Sequence, residues 1–260
     1  MNAIRLSAAS LALVTIALPF AVSASCGSAF CMVNTDWGVQ GVWNHPGARL
    51  DLRYEYIDQH QPRDGTRDVG TGEIPRDHDE VSTVNRNFFA TLDYGFSPEW
   101  GASVTLPWID RSHRHVQDHG GEAVPESWSF SDLGDVRVIG RYQWPLQGSA
   151  ADRAGVGGVT FGVKLPTGRT DTANGEGEVA ERTLQPGSGT TDALVGGYYR
   201  QALPVTGASW FVQASASMPL DRYRDFAPGN QVNVDLGYDW QVRDRTDWRP
   251  SGCGSFAFRG

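Results

Sequence analysis

Apolar and polar side chains alternate at every second position through most of this chain, and that pattern restricts the possible folds more than any other feature. Ala48, Leu50, Leu52, Tyr54 and Tyr56 alternate with Arg49, Asp51, Arg53 and Glu55, so one face is apolar and the other fully charged. The pattern returns around Phe88, Ala90, Leu92, Tyr94 and Phe96, around Trp100, Ala102, Val104, Leu106 and Trp108, and around Val136, Val138, Gly140, Tyr142 and Trp144. It returns again at Val159, Phe161, Val163 and Leu165, then at Trp210, Val212, Ala214, Ala216 and Met218, and at Val232, Val234, Leu236, Tyr238, Trp240 and Val242. An eighth segment, about 191–202, alternates poorly. A period of two marks a strand with two unlike faces. No window sustains the 3.6-residue period of an amphipathic helix. Most segments are about 9–13 residues long, the length a tilted strand needs to cross a bilayer, whereas strands of soluble domains run nearer 5–6.

The connections sort by parity. Those at 57–83, 110–131 and 166–189 are long, those at 145–155 and 219–229 are moderate, and those at 97–99, 203–207 and 243–247 are short. Short turns at one end and long loops at the other are the arrangement of an outer-membrane barrel. The expectation is an all-β, up-and-down antiparallel transmembrane β-barrel of at least eight strands over 47–247. It would have its N-terminus in the periplasm and its long loops outside. The competing expectation is a secreted β-sandwich or closed soluble barrel. Aromatic residues at strand ends fit the girdles of a membrane barrel: Tyr54, Tyr56, Tyr94, Trp100, Trp108, Tyr142, Trp144, Tyr238 and Trp240.

Composition narrows the class further. The chain has 260 residues, is 40% hydrophobic and carries a net charge of −8. That apolar fraction is too high for a disordered chain, and the acidic balance argues against nucleic acid as a partner. No second long apolar run follows the first, which excludes a multi-helix membrane protein. Residues 1–24 read as a cleaved export signal: Arg5, an apolar stretch, and Val22-Ser23-Ala24 for cleavage. Residues 25–46 then form a short periplasmic segment. In an oxidising compartment Cys26 and Cys31 are expected to form a local disulfide. A lipid anchor on Cys26 is the weaker alternative. The expected location is the bacterial outer membrane.

The polar strand face is the candidate functional surface. Arg49, Asp51, Arg53, Glu55, Asn85, Asn87, Asp93, Asp135, Arg137, Arg141, Lys164, Asp235 and Asp239 are expected to point into the lumen. In a wide barrel such residues tune selectivity, and in a narrow one they fill the interior with ion pairs. His113, His115 and His119 are the candidate metal ligands, weighed against a solvated external loop. All six histidines (His45, His60, His78, His113, His115 and His119) fall outside the expected strands. That position argues against a hydrolase with a Ser–His pair on the strand wall. The acidic runs 77–80 and 174–181 lack EF-hand spacing and read as solvated loops. No cofactor and no catalytic constellation is expected. The expected partners are outer-membrane lipid, small solutes and the barrel-assembly machinery. The expected role is a channel or transporter-like barrel, and the alternative is a plugged barrel that binds metal or a surface partner through its loops.

Three runs carry a resemblance to a known family. They are Asp132-Leu133-Gly134-Asp135 leading into Gly140-Arg141-Tyr142, then Lys164-Leu165-Pro166-Thr167-Gly168, then Gly187-Ser188-Gly189-Thr190-Thr191-Asp192. This resembles the outer-membrane barrel family named for the MetA pathway of phenol degradation, whose members are described as transporters. The likeness covers roughly 51–240. It implies a channel or transport-like role and supplies no catalytic or binding residues. It also implies several more strands than the eight seen here. Residues 248–260 depart from the pattern as an atypical tail. The expectation there is a truncation or frame shift near Arg249, or else an eight-stranded barrel with a periplasmic tail. Phe258 followed by Arg259-Gly260 is not the terminal aromatic that assembly machinery reads.

Overall fold

A computed structural model describes residues 46–64, 66–73, 78–118, 123–147, 154–203, 208–241 and 251–259. The expected signal, Cys26, Cys31 and His119 lie outside the described residues. For Asp239 and Trp240 only the backbone is described.

The described residues form twelve strands and no helix: β1 Gly47–Gln59, β2 Arg63–Asp64, β3 Arg67–Asp68, β4 His78–Gly95, β5 Trp100–Asp118 and β6 Ala123–Leu133. The rest are β7 Arg137–Gln147, β8 Ala154–Lys164, β9 Asp192–Leu203, β10 Ala208–Pro219, β11 Gln231–Gln241 and β12 Ser251–Arg259. Ten of them make one antiparallel up-and-down sheet in the order β1-β4-β5-β7-β8-β9-β10-β11-β12, with β6 added beside β5, and the sheet curls into a half-barrel. The eight segments expected from alternation are β1, β4, β5, β7, β8, β9, β10 and β11.

The register explains why alternation produces this sheet. Opposed residues in an antiparallel pair point to the same side. Leu50 pairs with Leu92, Leu92 with Val104, Val104 with Val138, and Val138 with Val163, so one apolar row crosses five strands on the outer face. The next row inward runs through Asp51, Thr91, Thr105, Arg137, Lys164 and Asp192. A one-residue slip would exchange the two faces wholesale.

The distribution of polarity is the reverse of a soluble domain. Leu50 is 63% exposed, Tyr54 61% and Leu92 54% on the outer face, whereas Phe211, Asn87, Gln213 and Asp235 are buried on the inner one. Among the described residues seventeen polar or charged residues are buried against nine apolar ones. Inward glycines face inward rings: Gly237 opposes Phe211 and Gly158 opposes Tyr198. A Cβ on Gly237 would lie 2.1 Å from Phe211 Cε1, so the ring occupies the space a side chain would need.

Four features differ from the sequence expectation. First, β4 and β5 run for 18 and 19 residues, continuing into what read as the 57–83 and 110–131 loops. His78, His113 and His115 therefore lie on strands, which removes the premise that every histidine is in a loop. Alternation gave no warning because above Trp108 both faces of β5 are polar: Arg111, His113 and His115 inward, Asp110, Ser112 and Arg114 outward. Second, 123–133 is a strand, β6, that pairs with the upper half of β5. Below it Leu133 opposes Trp108 and Arg137 opposes Thr105, so three residues face two and the strand carries a bulge at Gly134-Asp135-Val136. The bulge restores the in–out phase in β7, and Pro107, which has no N–H, sits opposite it.

Third, residues 251–259 are not a free tail but strand β12. Its register places Phe256 opposite Leu236 and Phe258 opposite Val234. An unpaired edge of β11 accepts any backbone that can donate and accept along it, and 251–259 contains no proline to prevent this. Fourth, the 165–191 connection folds inward instead of outward, as described below.

The 57–83 connection carries the small β2–β3 ladder. Beside it the Gly70 N–H, and secondly the Arg67 guanidinium, hold the exposed Glu73 carboxyl below its usual range.

Candidate functional site

The three motif runs, separate in sequence, meet at one buried knot where β6, β8 and β9 end. Asp135 is held in the bulge between β6 and β7, Lys164 ends β8, and Asp192 begins β9. Lys164 Nζ lies 3.1 Å from Asp135 Oδ2 and 3.0 Å from Asp192 Oδ2, and it also donates to Ser188 Oγ. All four residues are buried. Asp135 in turn accepts from Gly168 N at 3.0 Å, from Ser188 N at 2.9 Å and from Ser188 Oγ at 2.8 Å. Asp192 accepts from Thr190 Oγ1 at 2.8 Å and Ser217 Oγ at 3.2 Å. Thr167 Oγ1 donates to Gly134 O and accepts from Val136 N. One cation with two carboxylates, each further hydrogen-bonded, satisfies the condition under which buried charge is tolerated.

The knot fastens both ends of the 165–191 connection to each other. Gly168 and Gly187 touch main chain to main chain: a Cβ on Gly187 would lie 2.5 Å from Gly168 O and 2.7 Å from Gly168 Cα. No side chain there can yield, so Gly187→Ala must separate the two limbs. The expected cost is about 1–3 kcal/mol, read as a lower urea midpoint of the refolded protein.

Between its fastened ends the connection is organised by its own side chains. Gln185, fully buried, accepts from Thr172 N and donates to Thr172 O and Ala180 O, lacing the two limbs together. At the tip Asn174 Oδ1 accepts from Glu176 N and Glu178 N.

This strap crosses the loop-side mouth. On one side Trp128 of β6 packs on Ala180 and Leu184, and its Nε1 donates to Glu178 O at 3.0 Å. Arg111 of β5 donates to Leu184 O at 2.6 Å while its Nε bonds Asn85 Oδ1. On the other side Arg182 donates to Tyr223 O at 3.1 Å and lies over the Tyr223 ring at 4.6 Å. Tyr223 belongs to a tight turn through Arg224 and Asp225, both with positive φ, in the β10–β11 connection. Gly189, at φ 74°, leaves the space the Tyr223 ring occupies: a Cβ there would sit 2.6 Å from it.

Behind Trp128 lies a ladder of inward side chains on β4, β5 and β6. Arg111 is flanked by Asn85 and Phe130, His113 by Thr83 and Trp128, and His115 by Glu80 and Glu126. A continuous hydrogen-bonded chain runs Thr83 Oγ1 to His113 Nδ1 at 2.7 Å, His113 Nε2 to His115 Nδ1 at 3.1 Å, and His115 Nε2 to Glu126 Oε2 at 3.0 Å. Both imidazoles are buried, and their ring centroids lie 6.1 and 4.9 Å from that of Trp128. The expected solvated loop is therefore a wall position. Among the described residues no group of three His, Cys, Asp or Glu could hold a metal ion. His113 and His115 form a hydrogen-bonded pair, and His119, the third ligand of the expected metal site, lies outside the described residues.

The remaining candidates occupy the inner face at lower levels. Arg49 and Asp51 are half-buried on β1. Arg53 pairs with Glu55 at 3.4 Å and lies over the Phe89 ring at 4.5 Å, while Arg141 is 3.7 Å from Asp93. Asn85 bonds Arg111 as above, Asn87 is buried beside it, and Arg137 opposes Lys164 in the register. Gln213 donates to Asp235 at 2.8 Å. The expected girdle residues Tyr54, Tyr56, Tyr94, Trp100, Trp108 and Tyr238 are exposed on the outer face, and Tyr142 and Trp144 are half-exposed there.

Sequence reading placed Asp135 and Lys164 on the inner face and carried Ser188 and Asp192 only within a motif run, and it did not name Gln185, Arg182, Arg111, Thr83, Glu126 or Trp128 as site residues. The available signal was that each of the three motif runs holds one of the knot's charges: Asp135, Lys164 and Asp192. Compared with family models and with curated proteins, the chain matches none of either. The likeness to the phenol-degradation barrel family therefore rests on the three motif runs alone.

Proposed function

We propose that this chain is an outer-membrane β-barrel protein that passes small polar solutes through its polar interior, with the strap restricting the mouth. The observation that carries the reading is the inversion of polarity, with an apolar face exposed and a charged face buried. In water a contiguous outer face of exposed side chains such as Leu50, Leu92, Val104 and Val138 is an aggregation hazard. In lipid it is the expected outer surface. The height agrees. From Trp100 to Trp108, both exposed outward, β5 rises about 27 Å along the strand. A tilt of roughly 40° reduces this to about 20 Å between ring levels, near the ~25 Å apolar band of such barrels. Above Trp108 the outer face turns polar with Asp110, Ser112 and Arg114.

Membership of the phenol-degradation barrel family, export by a cleaved signal, contact with the assembly machinery and non-enzymatic action belong to the same proposal. A second reading, a plugged barrel whose loops bind a partner, draws support from the burial of Arg111, Lys164, Gln213 and Asp235 inside.

Two measurements test the proposal. Unheated protein in detergent gels should migrate faster than heated protein, and a monomer soluble without detergent would overturn the membrane reading. In planar bilayers the refolded chain should show discrete conductance steps. Steps that appear only after residues 171–181 are removed would favour the plugged barrel, and no steps in either form would sink the solute route.

A further inference from the structure

We propose that residues 33–43 form a further membrane-crossing strand that pairs antiparallel with the open edge of β1, which sets Cys26 and Cys31 at the long-loop end of the barrel. The inference rests on the outer-membrane reading for its topology but not for the pairing itself.

Among the described residues β1 pairs with β4 alone, so its other edge is open. The side chains register this. Along one outward row, exposure falls from 63% at Leu50 on the edge to 54% at Leu92, 38% at Val104 and 36% at Val138. On the inner face Arg53 and Glu55 are half-buried, while Phe89 and Asn87 opposite them on β4 are buried. A flank without a neighbour accounts for both. In lipid the N–H and C=O groups along such an edge find no water, so a partner strand is required.

Direction selects the occupant. Every pair along the nine-strand path is antiparallel, so β1 and β12, its first and last strands, both run from the short-turn end to the long-loop end. Laid against β1, β12 would make a parallel ladder. A second copy inserted the same way round also offers only parallel edges. Parallel pairing is slightly less stable per residue. Residues 33–43 arrive from the other direction, because the chain must descend to the short-turn end before β1 can leave it. They are also tethered. Asn44-His45-Pro46-Gly47 joins them to β1, and so short a connection costs little loop-closure entropy. It has the character of a turn: Pro46 lacks an N–H, and Gly47, at φ 133°, has a backbone that other residues rarely adopt. Four residues also join β9 to β10, where Leu203 opposes Ala208.

The segment supplies the two faces such a strand needs. Residues 33–43 lie outside the described residues and enter through their sequence. Val33, Thr35, Trp37, Val39, Gly41 and Trp43 alternate with Asn34, Asp36, Gly38 and Gln40, and only Val42 departs. The length equals the 11 residues of β7 and of β8. A four-residue turn sets Trp43 opposite Ala48, and then Val39 falls opposite Leu52 and Trp37 opposite Tyr54. Trp37 extends the aromatic row Tyr54, Phe88 and Trp108, and Trp43 joins the row of Tyr94 near the short turns. Both tryptophans land at the levels where amphipathic rings meet headgroups. The polar set falls beside the half-buried Arg49, Asp51, Arg53 and Glu55. With this strand the main path has edges that run opposite ways, as an antiparallel seam with β12 needs. Because the strand descends, the residues before it stand at the long-loop end, in place of the periplasmic segment expected of 25–46.

The test uses the full chain in the outer membrane of a Gram-negative host, in a background of Cys26→Ser, Cys31→Ser and Cys253→Ser. Val39→Cys with Leu52→Cys is oxidised with copper phenanthroline, digested with trypsin and read by mass spectrometry. The free 50–53 peptide should be lost and reappear joined to the peptide that ends at Arg49. Val39→Cys with Met218→Cys, on the outer face of β10, is the control. No joined peptide, or as much of it in the control, overturns the pairing. A link between two chains, seen as a dimer on non-reducing gels, overturns it in favour of a second copy. In the same background Ser28→Cys should react with a membrane-impermeant polyethylene glycol maleimide on intact cells, and Pro98→Cys only after the outer membrane is permeabilised. Protection of Ser28→Cys until permeabilisation overturns the crossing. A joined peptide in a chain that is soluble without detergent refutes the membrane reading and leaves the pairing standing.

Discussion

Lys164→Met is expected to lower the unfolding free energy of the refolded protein by about 3–5 kcal/mol, the usual cost of removing one partner from a buried ion cluster. The size follows from what remains behind. Asp135 and Asp192 are both buried, and both sit about 3 Å from the lost ammonium. Without it two buried carboxylates share an enclosed space from which the ammonium that contacts both has gone. The same substitution should unfasten the strap, because Asp135 is the common acceptor for Gly168 and Ser188. The measurement is urea unfolding in detergent micelles, followed by protease cleavage within 165–191. If the argument from charge is correct, adding Asp135→Asn and Asp192→Asn to Lys164→Met should recover much of the loss, since an uncharged cluster leaves nothing uncompensated. A triple variant no more stable than the single one would show that geometry, not charge balance, holds the knot.

Trp128→Ala carries the second large effect, about 3–5 kcal/mol for a buried aromatic truncated to methyl. Here the loss should divide unevenly between strap and sheet. Trp128 supplies the apolar surface under Ala180 and Leu184 and the Nε1–H bond to Glu178 O. The β5–β6 backbone ladder does not depend on its side chain. Hydrogen exchange should therefore show the amides of 172–185 losing protection strongly while those of β4 and β5 change little. Uniform loss across the sheet would mean that Trp128 stabilises the wall itself. Phe130→Ala on the same strand is the control, because Phe130 borders the same cluster without bonding the strap.

Where alternation was visible, the sequence and the structure agree, and the places of disagreement share one physical cause. Leu50, Leu92, Val104 and Val138 announce strands because their neighbours differ from them in hydropathy, and that contrast exists only where the two faces meet different surroundings. Above Ile109 it disappears: Asp110, Arg111, Ser112, His113, Arg114 and His115 are polar throughout, and the nine strand residues 110–118 read as loop. The continuation is held by cross-strand partners, Thr83 on His113 and Glu126 on His115, which lie 30 and 11 residues away in sequence. Residues 251–259 were misread for a related reason. Their strand state depends on an edge of β11 being open to pair with, and that is a property of the sheet.

The strap departs furthest from what its own sequence implies. Its composition is that of a solvated external loop, and nothing local in 165–191 says whether it turns out or in. What turns it inward is a set of distant partners: Asp135 and Asp192 around Lys164, Trp128 under Leu184, and Tyr223 under Arg182. Motif resemblance marked the residues of the knot but not that they meet.

By itself, then, the sequence determined that the chain would be a sheet of long two-faced strands, with Leu50, Leu92 and Val104 on one side and Asp51, Thr91 and Arg137 on the other. Period two and the fixed geometry of antiparallel pairing suffice for that. Only the tertiary structure decided that Asp135, Lys164 and Asp192 become one buried cluster, that two histidines become a hydrogen-bonded pair behind a tryptophan, and that a polar connection turns inward to reach both the β5–β6 wall and the β10–β11 turn. Those outcomes depend on electrostatic compensation and packing between residues tens of positions apart, and a buried charge becomes tolerable only once its partners have been brought to it.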